Sequence, residues 1–113
     1  RLLRQRGVRA SVGDGHTSRE RIWLWRLGDA ALCATSFETY SNFQTHLRAA
    51  FPNTPLLVLN LSNGSVGYLP PTPLYDLNLY TVWQTPFARG GHERLLGAAV
   101  AGLRELFQLP ART

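Results

Sequence analysis

The chain has no lysine, no methionine, a single cysteine and no long apolar run. Each absence excludes something. One cysteine cannot form an internal disulfide, and it cannot supply the paired thiolates of a zinc knuckle. Cys33 itself lies in Ala30-Ala31-Leu32-Cys33-Ala34, a small apolar run that predicts a buried, inert thiol rather than a nucleophile. No apolar stretch approaches the ~18 residues of a membrane span, so no transmembrane segment is expected. Without lysine, all twelve basic residues are arginine, which points to a GC-rich coding sequence. Without methionine, and with an abrupt start at Arg1 that carries no signal-like apolar stretch, the chain reads as a fragment of a longer polypeptide.

The charge balance points to a polyanion less than its total implies. A formal charge of +5 is the footprint of many nucleic-acid binders. Here Arg1, Arg4, Arg6 and Arg9 cluster in the first ten residues and the remainder are scattered singly. That is the pattern of a solvated terminus, and no nucleic-acid partner is expected from it.

What is present suits one small domain of 113 residues, 44% of them hydrophobic, enough for a core. Residues 1–20 are polar and turn at Gly13-Asp14-Gly15; the folded part is 21–113. Residues 21–27, with Trp23 and Trp25, predict a strand; Gly28-Asp29 is a tight turn; residues 30–34 predict a buried partner strand. Thr35-Ser36-Phe37-Glu38 has the form of a capping box, and Tyr40, Phe43, Leu47 and Ala50 recur at helical spacing, so a helix is expected over 37–50, stopped by Pro52. Residues 55–61 are nearly all apolar, as expected of a strand covered on both faces. An irregular connection then runs from Ser62 to Gly91, and 92–107 predicts a helix with Leu95, Ala99, Leu103 and Leu106 on one stripe. The sum is α/β, a partial ββαβ–long loop–α sheet with helices covering it, a fragment of a larger layered α/β domain. Its free sheet edges favour self-association.

Familiar catalytic signatures are missing: no phosphate-binding loop, dinucleotide fingerprint or His-Glu-x-x-His is present. His16, His46 and His92 share no metal-ligand spacing and are expected at surfaces or helix ends. Asn60-Leu61-Ser62 and Asn63-Gly64-Ser65 match the glycosylation triplet, which has meaning only in a secreted eukaryotic protein. What remains is Glu38, where a buried strand meets a helix, with Tyr68 and Tyr80 in the connection that follows the next buried strand. Sites in open α/β sheets gather beyond the carboxyl ends of strands, so these three can converge. Carboxylate and phenolate are oxygen ligands that zinc accepts, and a further phenol can donate to a developing oxyanion. Equally, Glu38 can close the capping box and the tyrosines can anchor the loop.

The order of several short pieces resembles the later part of the catalytic domain of the neutral/alkaline non-lysosomal ceramidases, especially their shorter bacterial relatives. The pieces are Arg26-Leu27-Gly28-Asp29-Ala30-Ala31-Leu32, Glu38, Leu47-Arg48-Ala49-Ala50-Phe51-Pro52, and Leu59-Asn60-Leu61-Ser62-Asn63-Gly64-Ser65-Val66-Gly67-Tyr68-Leu69-Pro70. After them come Tyr75, Tyr80 and Trp83-Gln84-Thr85-Pro86-Phe87. The resemblance implies a zinc-dependent amidohydrolase that cleaves an N-acyl, ceramide-like bond. It implies zinc ligands at Glu38 and Tyr68, an oxyanion donor at Tyr80, and histidine ligands outside this chain, supplied by the rest of its own domain or a partner chain. The chain departs from the family pattern at Ser36-Phe37 (usually Pro-Gly), at Thr81 (commonly Glu) and at Ser65 (Tyr in the ceramidases' own motif). Two other readings stand beside it, a catalytically lapsed scaffold of the same fold and a small basic nucleic-acid-binding module.

Overall fold

The structure is a computed structural model of the chain that describes residues 9, 12, 13 and 15–109; the basic cluster at Arg1, Arg4 and Arg6 lies outside them. Strands β1 (Ile22–Leu27) and β2 (Ala30–Thr35) form the hairpin, antiparallel, with Leu27 paired to Ala30 across the turn. The chain continues through a two-residue strand β3 (Glu38–Thr39), helix α1 (Ser41–Ala50) and strand β4 (Leu56–Leu59), which returns parallel to β2. The main sheet is therefore mixed, in the order β1-β2-β4. A two-residue strand β5 (Tyr68–Leu69), a 3-10 turn (Thr72–Asp76), a one-turn helix α2 (Tyr80–Trp83) and the long helix α3 (Gly91–Leu106) complete an α/β fold.

Both long helices pack on one face of the sheet. Strand side chains alternate between faces, and the register puts Ile22, Leu24, Ala31, Cys33, Leu56 and Val58 on the same side. These join Phe43 and Leu47 of α1 and Leu95, Ala99 and Leu103 of α3 in one apolar cluster. The α3 backbone comes so close to β1 at Gly102 that a methyl group there would strike the Leu24 side chain. At the end of α3, Arg26 reaches over to donate to the Leu106 carbonyl and stacks on the Phe107 ring, 4.5 Å from its centre. Cys33 is fully buried and burial pushes its thiol up to about 11, so no thiolate forms near neutrality.

Three expectations need correction. The helix begins at Ser41, not at residue 37, and no capping box forms. The Thr35 hydroxyl accepts from the Phe37 amide and the Ser36 hydroxyl donates to the Ser62 carbonyl, so both would-be caps are engaged with strand and loop backbone. Glu38 is left to pair in β3. Secondly, β4 is covered on one face only: Leu57 and Leu59 point to solvent. Thirdly, the connection after β4 is not wholly irregular, since it holds β5, the 3-10 turn and α2. Side chains secure it. Tyr75 donates to the Phe87 carbonyl at 3.0 Å, and the Glu93 carboxylate accepts from both the amide and the hydroxyl of Thr72.

His92, at the start of α3, is buried with its ring edge-on to Phe43, and its Nδ1 has no partner. Burial is the main reason its pKa is held below the ordinary value, against the opposing pull of the neighbouring Glu93. A histidine depressed in the folded state binds its proton more readily when unfolded, so stability is full above the unfolded value of about 6.5 and declines as pH falls below it. Denaturant titrations at descending pH should show that decline, and His92→Phe should flatten it.

Candidate functional site

The candidate site sits past the carboxyl ends of the two parallel strands. From β2 the chain passes through Ser36 and Phe37, both buried, into Glu38; from β4 it loops back to Tyr68. The returning segment is stitched to the outgoing one by backbone hydrogen bonds. Leu61 donates to Phe37, Ser62 to Thr35, Val66 to Ser36, and Glu38 to Gly67 at 3.0 Å. Turning the loop requires left-handed backbone, found at Asn63 and at Gly67, where φ is +91°. Only glycine enters that region without strain. Gly67→Ala should lower stability by about 1–2 kcal/mol, measured by denaturant unfolding, because it strains the residue that delivers Tyr68.

The consequence is that Glu38 and Tyr68 are register partners in the parallel β3–β5 pair, and directly paired residues project to the same side of a sheet. The Tyr68 phenol lies in the field of the Glu38 carboxylate. Its pKa is raised, first by desolvation and then by the Glu38 charge and hydrogen bond, with smaller contributions from Tyr80 and Tyr40. The phenol therefore carries its proton at neutral pH. Tyr80, at the start of α2, stands edge-on to Tyr68 with ring centres 6.2 Å apart, and the residue is 49% exposed. All three residues singled out from the sequence are thus neighbours at one surface.

Tyr40 and Thr81 complete the arrangement, and sequence reasoning gave neither a role there. Tyr40 had the spacing of a helix-stripe residue. It is instead the extended residue before α1, and its hydroxyl hydrogen-bonds the Thr81 hydroxyl. That contact ties α2, and so Tyr80, to the strand carrying Glu38. Asn60 fixes the same strand from its other side: its side chain accepts from the Thr39 hydroxyl at 2.7 Å and donates to the Thr39 carbonyl. The signal for Tyr40 was its position two residues after a carboxylate in an extended segment, masked by the apparent helical period.

Glu38 and Tyr68 offer one carboxylate and one phenol oxygen on a common side. This donor pair fits zinc chemistry as half of a four-ligand set. Among the described residues no cluster of three or more His, Cys, Asp or Glu side chains forms. His46 is exposed on α1, His16 is exposed before β1, and His92 is buried against Phe43. Among the described residues no helix is long and apolar enough to cross a membrane. Comparison with protein families, curated proteins and solved structures finds no match to this chain.

Proposed function

We propose that this chain forms part of a zinc-dependent amidohydrolase acting on an N-acyl, lipid-like substrate, in which Glu38 and Tyr68 hold the metal and Tyr80 supports the oxyanion. The observation that carries the reading is the β3–β5 register, which pairs Glu38 with Tyr68 and leaves Tyr80 beside them. The resemblance to the ceramidases supplies the substrate class, and the exposed Leu77 and Leu79 just ahead of Tyr80 offer apolar surface for an acyl chain. The remaining ligands would be histidines from polypeptide beyond this chain.

Zinc, when bound, lowers the pKa of its water to about 7 and polarises a carbonyl. The chain's own residues would act as follows. Glu38 as carboxylate and Tyr68 as phenolate would be the residues of this chain that hold the metal. The Glu38 charge that disfavours the phenolate in the free chain is then offset by the cation, in keeping with the rule that a nearby positive charge favours an anion. As water adds to the amide carbon, negative charge gathers on the former carbonyl oxygen, and the Tyr80 hydroxyl would donate to it. The C–N bond then breaks, the carboxylate and the amine leave, and the amine carries away a proton. The Tyr40–Thr81 hydrogen bond ties α2, and so Tyr80, to the strand carrying Glu38.

The test is to express the chain together with the polypeptide that flanks it naturally, measure bound zinc, and assay release of fatty acid from N-acyl substrates. Zinc at one equivalent with acyl release supports the reading; a metal-free protein with no turnover on any N-acyl amide, folded by circular dichroism, overturns it.

A further inference from the structure

The face of the main sheet opposite the helices is apolar from edge to edge. Register places Trp23, Ala34 and Leu59 in one row across the three strands, Trp25, Leu32 and Leu57 in the next, and Leu27 with Ala30 in the last. Not one of these eight residues is polar. Trp25 is 59% exposed, Leu27 62% and Leu57 61%, and among the described residues no helix or strand lies over them. The largest apolar patch on a typical monomer is about 300–600 Å² and is often functional, and this one is on the order of 500 Å². Two such faces in contact would bury on the order of 1,000 Å², the lower bound of a specific interface.

We infer that this face is covered by the same face of a second copy of the chain, forming a two-fold sheet-on-sheet dimer. The shape of the face selects the arrangement. The central strand β2 forms a low floor, Ala34 buried between its neighbours and Ala30 and Leu32 half-buried, with a high wall of indoles on β1, of which Trp25 is the exposed one, and a lower wall of exposed leucines on β4. A two-fold axis running along β2 between the sheets sets β1 of each copy over β4 of the other, so that Trp23 and Trp25 meet Leu57 and Leu59 and bulk faces lesser bulk. The alternative axis, across the strands, stacks β1 on β1 and drives indole against indole, wedging the floors apart. Aligned packing of twisted sheets, about 30° off parallel, accommodates the first arrangement. The charge of +5 per copy opposes association over long range and is screened within about 8 Å at physiological salt, so the dimer strengthens with salt, the reverse of binding to a polyanion. The inference does not rest on the amidase reading, since Glu38, Tyr68 and Tyr80 lie off this face.

Sedimentation equilibrium of the 113-residue chain over about 1–200 µM should show a monomer–dimer equilibrium in the micromolar range, tighter at higher salt. Trp25→Glu and Leu57→Lys each place a charge in the interface, at positions exposed in the monomer, and each should weaken self-association by at least about thirtyfold. Mixing the two variants should restore pairing through the Glu–Lys contact, because only the β1-over-β4 arrangement brings the two positions together. Circular dichroism and melting of each variant establish that it is folded, and the wild-type concentration series stands without them. A chain that stays monomeric throughout overturns the inference and assigns the face to a different polypeptide. Self-association unaffected by either substitution, or variants that fail to pair when mixed, also overturns it.

Discussion

Glu38→Ala, in a protein that carries this chain with its flanking polypeptide, should abolish bound zinc and N-acyl hydrolysis together, with turnover down at least about a thousandfold. The expectation follows from position. Glu38 contributes the carboxylate of the β3–β5 pair, and losing it leaves one protein oxygen from this chain where two are proposed. A companion variant separates metal binding from transition-state support. Tyr80→Phe removes one hydroxyl from a ring that is half-exposed and touches Tyr68 only at its edge. It should keep zinc and substrate affinity and lower kcat by about 100- to 1,000-fold, the ordinary effect of deleting one oxyanion donor. Equal loss of zinc in both variants would mean that Tyr80 acts structurally. Full activity in Tyr80→Phe would remove it from the chemistry.

The second large effect concerns folding. Phe43→Ala should destabilise the chain by about 3–5 kcal/mol, read from the midpoint of urea unfolding. Phe43 is fully buried in α1, meets the His92 ring at a centroid distance of 6.1 Å, and belongs to the cluster joining α1 and α3 to the sheet. Domains of this size have about 5–15 kcal/mol in all, so the variant should be largely unfolded on mild heating. Leu57→Ala, on the bare face of β4, should cost the isolated monomer little, and the contrast between the two leucine-and-aromatic positions measures which face of the sheet holds the monomer together.

Much of the fold could be read from the residues themselves. The Gly28-Asp29 turn between Trp-rich and Ala-rich runs is a hairpin, and the Leu95-Ala99-Leu103 stripe is the buried side of a helix, whereas Leu106, expected on the same stripe, is exposed where the helix ends. Periodicity failed at residues 37–40. There the pattern Thr-Ser-Phe-Glu imitates a helix start, but hydrogen bonds from residues 61–67, distant in sequence, claim the backbone for a strand. A two-residue strand has no period to detect, so β3 and β5 could not be found by patterning. Of the site, the convergence of Glu38, Tyr68 and Tyr80 was legible from their places after consecutive parallel strands. The Tyr40–Thr81 contact was not, because it depends on how α2 packs against the entry to α1.

The exposed tryptophan-and-leucine face shows how composition can mislead about burial. Residues 55–61 are nearly all apolar, which anticipates a strand covered on both sides. In the folded chain Leu56 and Val58 on one side of β4 join the cluster with α1 and α3, while Leu57 and Leu59 on the other are 61% and 43% exposed. The apolar character is still physical information: it marks the face that the proposed dimer would bury.

The most direct measurement for the site is the ultraviolet difference spectrum of the flanked protein as zinc is added. Coordination by Tyr68 requires loss of the phenol proton that Tyr68 carries at neutral pH in the free chain, so zinc should generate a tyrosinate band at neutral pH, accompanied by proton release, and Tyr68→Phe should eliminate both. Zinc bound tightly at one site with no tyrosinate band, or a band that survives in Tyr68→Phe, would contradict the account.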